Sequence, residues 1–214
     1  MSRRLVLWRH GRTEWNATRR FQGQIDVALD DTGRAQARQA AQQLAQLPPS
    51  AIVASDLSRA QDTAAALAAL AGLSVQTDER LRETNAGSWQ GLDRTELLAA
   101  HGPELAAWAG GSDLRPGGGE RRSEVAQRMV EAIEDALLEV PSDGTLVVVT
   151  HGGAARAAVG QLLDLPIANW AILGVLTNCA WTVLSEQPPD SGLRWRLEEY
   201  NARSLPQTAF GDDR

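Results

Sequence analysis

The chain has 214 residues, of which 43% are hydrophobic, and a formal net charge of -6. This length and composition predict one domain over residues 1–214 with a well-buried core. The acidic balance argues against nucleic acid or an anionic membrane as a partner, since both attract clustered positive charge, and the apolar runs are too short for a signal peptide or a bilayer span, so we expect a cytoplasmic protein.

Strand-like and helix-like segments alternate along the chain. Apolar runs predict strands at 4–8, 51–54, 73–77 and 145–150. Helical patterns predict helices at 32–47, 58–72, 123–140 and 152–165. Ser58 is a candidate N-cap and Gly72 a candidate helix stop. The order predicts an α/β fold, a three-layer α/β/α sandwich with a mostly parallel central sheet.

Two of the chain's three histidines occupy equivalent positions. The strands "LVLW" and "LVVVT" are each followed within two residues by a histidine and a glycine, in Arg9-His10-Gly11 and His151-Gly152. Ligands of parallel sheets bind beyond the carboxyl ends of the strands. We therefore expect His10 and His151 to share a site. The third histidine, His101, precedes Gly102 and Pro103 and is expected to lie at a helix C-terminus.

Arginines near these strand ends predict an anion pocket. All 21 basic residues are arginine, so only position marks a functional one. Arg59 opens a helix in "SDLSRAQDTA", directly after a predicted strand. Arg9 and Arg59 can each bind a phosphoryl group through a planar fork, and Asn16 and Gln22 can add neutral donors. The pocket fits a phosphate dianion.

A glutamate and a cysteine each have two interpretations. Glu83 lies in "RLRETNAGSWQGL", where it is either a solvated loop charge or the carboxylic acid that protonates a departing alkoxide. Cys179 is the only cysteine, which excludes an internal disulfide. Its position in "NCAWTVL" predicts an inert thiol buried in a strand rather than a nucleophile.

Four motifs, "LWRHGRTEWN", "SDLSRAQDTA", "RLRETNAGSWQG" and "VTHGG", resemble in order and spacing those of the histidine phosphatase superfamily, also called phosphoglycerate-mutase-like. The resemblance implies that His10 is a nucleophile that carries the phosphoryl group as phosphohistidine. It also implies that Arg9, Arg59 and His151 clamp the phosphate and that Glu83 is the proton donor. Further substrate contacts fall on Gly11, Asn16, Gln22 and Gly152. The family uses neither a metal nor another cofactor.

The same site serves mutases and phosphatases. Mutases of the family carry a longer insertion where this chain has the short, glycine-rich segment 99–125, which favours a phosphatase acting on a small phosphorylated substrate. Segments 165–185 and 193–206 resemble family phosphatases that act on glucosyl-3-phosphoglycerate. The alternatives are a broad-specificity or α-ribazole-phosphate phosphatase, a phosphoglycerate mutase, or a non-catalytic signalling member, which the presence of His10 and Glu83 disfavours. The resemblance also implies a homodimer.

Two positions depart from the family pattern. Arg121 follows Gly118-Gly119-Glu120 where the family usually has a serine, which puts the start of the following helix in doubt. Arg12 stands where glutamine, glutamate or histidine is common, and we hypothesise that it extends the anionic pocket towards a substrate carboxylate.

Overall fold

A six-stranded sheet forms the centre of the computed structural model, which describes residues 2–204. Its strands are β1 (Arg4–Arg9), β2 (Ala51–Ala54), β3 (Val75–Thr77), β4 (Thr145–Thr150), β5 (Trp181–Glu186) and β6 (Trp195–Ala202). They are ordered β3-β2-β4-β1-β5-β6. The first four run parallel, whereas β5 is antiparallel to both neighbours. The last residues of the predicted segment 193–206 lie outside the described part.

Helices cover both faces of the sheet. They are α1 (Glu14–Ala17), α2 (Asp31–Leu44), α3 (Ser58–Ala71), α4 (Arg94–Ala109), α5 (Arg122–Leu137) and α6 (Gly152–Leu162). In β1, Leu5 and Leu7 pack into the core layer that contains α5 and α6, whereas Val6 and Trp8 pack into the layer that contains α2 and α3. This alternation confirms the predicted three layers.

The structure differs from the predicted N-cap of α3 and from the predicted strand position of Cys179, but it confirms the predicted end of α3. Leu57 is the N-cap of α3, and Ser58 is its first residue, whose hydroxyl donates to Asp26 at 2.8 Å. Gly72 does end α3, with a left-handed φ of 67° that glycine adopts without a Cβ penalty. Cys179 is buried as predicted but lies in the turn before β5, with a φ of 58°.

The second half of helix α4 is not predicted by the sequence, because Gly102 and Pro103 are typical of a helix break. The chain bends there, with a φ of -137° at His101, but helix resumes and continues to Ala109. His101 thus ends the first helical segment of α4, as predicted, although a second segment follows. It lies at the bend inside α4, with its ring centroid 5.8 Å from that of Trp89.

The glycine-rich segment before α5 packs its backbone against the loop that follows Glu83. A Cβ on Gly119 would overlap the carbonyl of Asn85, and one on Gly117 would overlap that of Ala86. Gly117 also has a φ of 57°, which disfavours other residues. These glycines allow two loops to touch along their main chains, next to the site.

Asp113 supplies the capping group at the start of α5, where Arg121 stands in place of the serine that is usual in the family. Arg121 is the N-cap residue of α5, and its backbone N–H donates to the Glu124 carboxylate at 2.9 Å. The Asp113 carboxylate accepts from the backbone N–H of Ser123 at 3.1 Å and from its hydroxyl at 2.6 Å. A carboxylate from the preceding loop thus caps the helix start without a serine at the N-cap.

Candidate active site

His10 follows β1 directly and is only 3% exposed. Its Nδ1 lies 2.7 Å from the carbonyl oxygen of Gly11. A carbonyl can only accept, so Nδ1 carries the proton and Nε2 carries the lone pair. Burial lowers the His10 pKa well below its usual value, and the charges of Arg59 and Arg9 lower it further. The ring is therefore a neutral imidazole with a free nucleophilic nitrogen.

His151 lies beside His10 because β1 and β4 are adjacent and in register from Arg4 and Thr145 to Arg9 and Thr150. The two ring centroids are 5.0 Å apart. Arg59 Nε donates to His151 Nδ1 at 3.3 Å, so the other nitrogen, Nε2, carries the proton and donates to Ser55 Oγ at 3.0 Å. Burial, followed by Arg59, also lowers the His151 pKa well below its usual value. The predicted pairing of the two histidines is confirmed.

Arg59 is completely buried at the start of α3. Its Nη1 and Nη2 donate to the carbonyls of Ile25 and Gly23, each at 2.8 Å. Burial lowers the Arg59 pKa to about 10. The side chain is still cationic at neutral pH and is held rigidly beside His151.

Arg9 brings a second cation to the same strand end. Its Nη1 donates to the carbonyl of Leu176, while its buried Nε has no partner among the described residues. Burial lowers the Arg9 pKa, and the Glu83 charge opposes that shift. Polar atoms of a buried site that lack a protein partner are groups that a ligand can satisfy.

The predicted neutral donors are Gln22, which precedes the Gly23 carbonyl that Arg59 binds, and Asn16. Gln22 is buried, and its Oε1 has no partner within residues 2–204. Asn16 Oδ1 accepts from Thr13 N and from Asn178 Nδ2, both at 3.1 Å. Because Oδ1 is occupied, Nδ2 is the atom that Asn16 can offer to an anion.

The Glu83 carboxylate accepts hydrogen bonds from the N-terminus of α6. Its Oε2 accepts from the backbone N–H of Gly153 and its Oε1 from that of Ala154, both at 2.9 Å. These are amide groups that no residue of the helix itself can satisfy. The carboxylate therefore has a fixed place next to the strand ends, and the interpretation as a solvated loop charge is not supported.

The two site glycines allow close packing. A Cβ on Gly11 would overlap the carbonyl of Gly33 in α2, and Gly11 N donates to Thr63 Oγ1 at 3.0 Å. A Cβ on Gly152 would press on Val175 and lie 3.3 Å from the Arg9 guanidinium. Glycine at position 11 therefore allows the close approach of α2, and glycine at position 152 allows the close approach of Arg9 to α6. The sequence motifs show the two glycines but not these packing reasons for them.

Several functional contacts escaped the sequence analysis. Asn178 Nδ2 donates to the carbonyls of His10 at 3.2 Å and Gly11 at 3.3 Å as well as to Asn16. Ser55 orients His151, and its place in the motif "SDLSRAQDTA" was the available signal. For Asn178 the available signal was its place in segment 165–185, which resembles family phosphatases, but that resemblance gave it no role at the site. It reaches the site through the pairing of β5 with β1.

Arg12 points to α2. Its Nε donates to Asp30, the N-cap of that helix, at 2.8 Å, and its Nη2 donates to Thr32 at 2.8 Å.

Burial raises the pKa of the Cys179 thiol to about 12, which agrees with an inert role. Within residues 2–204, no three His, Cys, Asp or Glu side chains form a group that could hold a metal ion, and no helix is long and apolar enough to cross a membrane.

Comparisons with known proteins agree with this geometry. The family model of the histidine phosphatase superfamily (branch 1) matches residues 5–202. A glucosyl-3-phosphoglycerate phosphatase of Mycolicibacterium vanbaalenii is 42% identical over 213 residues, which cover 94% of this chain and 95% of the relative. A probable phosphoglycerate mutase GpmB of Erwinia tasmaniensis is 39% identical over 91% of this chain and 90% of its own length.

Solved structures give the same result. A mycobacterial glucosyl-3-phosphoglycerate phosphatase complexed with VO3 superimposes with a TM-score of 0.87 and 44% identity, covering 94% of this chain and all of the other. The family model and these relatives span almost the whole chain, and the four motifs that suggested the family meet at one strand-end site. The chain belongs to the histidine phosphatase superfamily.

Proposed function

We propose that this protein hydrolyses a phosphate monoester through a phosphohistidine formed at Nε2 of His10. One observation carries the proposal: the Gly11 carbonyl fixes the proton on Nδ1, 2.7 Å away, and so leaves the Nε2 lone pair free to attack. The lowered pKa of His10 keeps that nitrogen unprotonated at neutral pH.

In the first step, Nε2 attacks phosphorus and the ester P–O bond breaks. Arg9 and Arg59 neutralise the charge on the non-bridging oxygens, together with the Nε2–H of His151 if it turns from Ser55 to the phosphate. The leaving alkoxide takes a proton from the Glu83 carboxyl group. This assignment is supported by the position of Glu83 at the start of α6, next to His151.

In the second step, water attacks the phosphohistidine and the P–N bond breaks. The Glu83 carboxylate, now deprotonated, accepts a proton from that water, and His10 returns to its neutral form. Glu83 thus acts as acid and then as base, and inorganic phosphate leaves the site.

We propose glucosyl-3-phosphoglycerate as the substrate, because curated relatives at 42% identity over 94% of the chain carry that activity in their names. A groove of about 440 Å³ beside the site is compatible with a substrate that bears a sugar and a carboxylate. Asn16 lines it, together with two tryptophans, Trp15 and Trp108, and arginines that include Arg19 and Arg94, residue types that bind sugars and carboxylates.

A phosphoglycerate mutase is the second candidate, since relatives at 39% identity are named probable mutases. The higher identity to the relatives named phosphatases, 42% against 39%, favours the phosphatase. In segment 99–125 only residues 110–121 connect α4 to α5, which agrees with the expected lack of a long insertion. The predicted cytoplasmic location and homodimer stay predictions.

The test is a comparison of initial rates on glucosyl-3-phosphoglycerate, 3-phosphoglycerate, α-ribazole phosphate and p-nitrophenyl phosphate, with a His10→Ala control. We expect the largest kcat/KM for the glucosyl ester and no turnover by the control. Interconversion of 2- and 3-phosphoglycerate without phosphate release would instead identify a mutase. Full activity of His10→Ala would contradict the phosphohistidine mechanism.

A further inference from the structure

The loop that carries Glu83 contains no strand and no α-helix, yet its main chain is fixed at several points. Arg128, in the middle of α5, donates from Nη1 to the carbonyls of Arg80 at 2.6 Å and Arg82 at 2.7 Å. From Nη2 it donates to the carbonyl of Glu83 itself at 3.0 Å. One guanidinium therefore binds three carbonyls within four consecutive residues.

The same guanidinium forms an ion pair with Glu120. Arg128 Nε and Nη2 donate to the two oxygens of that carboxylate at 2.8 and 2.9 Å. Glu120 Oε2 also accepts from the backbone N–H of Asn85 at 2.7 Å. The pair thus holds the loop on both sides of Glu83, through carbonyls before it and an N–H after it.

Gln24 closes this network from the phosphate-binding side. Its Nε2 donates to the Glu83 carbonyl at 3.1 Å and lies 3.4 Å from Glu120 Oε2. The Arg128 side chain is 16% exposed, the lowest value of any arginine in an ion pair of the described residues. Partly desolvated, charge-assisted bonds of this kind fix geometry more strongly than surface pairs do.

We infer that Arg128, paired with Glu120, is a positioning residue that sets the place of the Glu83 carboxyl group for proton transfer. This inference rests on the proposed function. Among the described residues, no hydrogen bond of the network reaches Arg9, His10, Arg59 or His151, and the Arg128 charge is only the smallest of the causes that lower the His151 pKa. Its loss should therefore affect the step that needs Glu83 more than the attack by His10. Both residues lie in segments that the sequence motifs for phosphate binding leave out.

The leaving group separates this role from a purely structural one. An alkoxide needs a proton as it departs, whereas p-nitrophenolate departs readily without one. We expect Arg128→Met to lower kcat/KM about 10- to 100-fold for glycerol 3-phosphate and less than about 3-fold for p-nitrophenyl phosphate, because a small misplacement of a catalytic group is costly. Glu120→Gln, which keeps the shape and removes the charge, should show the same selectivity to a smaller extent.

Arg194→Met is the matched control. Arg194 forms a two-point pair with Glu134, which lies on the same helix α5, at 2.7 and 2.6 Å. We expect its loss to leave both substrates unaffected. In the Glu83→Gln background, Arg128→Met should have little further effect on the alkyl ester, because the residue acts through Glu83. Equal losses on both esters, or full additivity with Glu83→Gln, would overturn the inference.

A second measurement keeps the inference distinct from the proposed function. The amides of Gly153 and Ala154 donate to the Glu83 carboxylate, so their hydrogen exchange reports its placement without turnover. Arg128→Met should speed their exchange while leaving that of the central amides of β4 unchanged. If the wild-type protein hydrolyses neither these two esters nor glucosyl-3-phosphoglycerate, the proposed function fails. Unchanged exchange at these two amides would refute the positioning role separately.

Discussion

The site has two halves that the fold holds in place in different ways. The first is the strand-end cluster of Arg9, His10, Arg59 and His151, and the second is the acid loop, residues 80–85, which carries Glu83. His10 and His151 follow adjacent parallel strands, and the backbone bond from His10 N to the Thr150 carbonyl, at 3.0 Å, continues the ladder between them. Glu83 lies in a loop outside the sheet, where its place depends on side chains from α5 and on the glycine-rich segment.

This difference has a physical consequence for how each half fails. A sheet ladder distributes its hydrogen bonds along a buried core, so a single substitution near it changes chemistry without moving the strands. A loop held by a few polar contacts can shift when one of them is removed. The two regions should therefore give different kinetic signatures, and the leaving group of the substrate distinguishes them.

The largest effect is expected in the strand-end cluster. Arg59→Met removes a cation that faces His151 and leaves the carbonyls of Gly23 and Ile25 without their donor. We expect kcat/KM to fall about 10³-fold, by analogy with other arginines that stabilise a phosphoryl transition state. The fall should be equal for glycerol 3-phosphate and p-nitrophenyl phosphate, and a loss confined to one ester would contradict the clamp. Arg59→Lys, which keeps the charge and loses the fork, should be intermediate.

The acid loop should behave differently when its carboxylate is removed. Glu83→Gln keeps the side-chain shape but cannot supply a proton as a carboxylic acid does. We expect kcat/KM for glycerol 3-phosphate to fall about 10²-fold, a typical contribution of a positioned acid, with a much smaller loss on p-nitrophenyl phosphate. Steady-state assays on the two esters with one enzyme preparation check this ratio. A uniform loss would place Glu83 in the phosphate clamp instead.

A backbone contact gives a third test of the comparison. Gly119→Ala places a methyl group against the carbonyl of Asn85, so the acid loop must move. We expect a loss of about 1–3 kcal/mol in the free energy of unfolding, as for other overpacked sites. The activity loss should be selective for the alkyl ester. Gly102→Ala is the control, because a Cβ added at Gly102 would have no atom from another part of the chain within 4 Å. Urea unfolding of both variants measures the change in stability. Equal stabilities of the two variants would contradict the close loop contact.

The sequence predicted the strand-end half of the site better than the acid half. The apolar runs of β1 and β4 predict parallel strands, and parallel strands bring His10 and His151 to one edge. Arg59 followed from its place after β2. The support of Glu83 by Arg128 and Gln24 could not be predicted. Arg128 lies within the predicted helix 123–140 and Gln24 in a segment with no periodic pattern, and neither position indicates a contact with a loop that is distant along the chain. The continuation of helix α4 beyond His101 was also not predicted, since Gly102 and Pro103 suggest a break where the structure has a bend.

The smallest predicted effect concerns pH and stability in the strand-end cluster. Burial and then Arg59 lower the pKa of His10 and His151 in the folded protein. At pH values well above about 6.5, the ordinary pKa of histidine, both are neutral in the folded and the unfolded chain, so their contribution to stability is complete there. As pH falls below that value, the unfolded chain takes up protons that the folded site refuses, and the free energy of unfolding drops by up to about 1.4 kcal/mol per pH unit for each histidine.

His151→Gln should therefore reduce the slope of stability against pH by up to about 1.4 kcal/mol per unit below pH 6, while the two curves run parallel above about pH 7. Urea unfolding at several pH values gives both slopes, and carboxylates contribute equally to each. Identical slopes for wild type and His151→Gln would mean that the buried histidine accepts a proton in the folded protein, which is incompatible with a rigid cationic cluster around it.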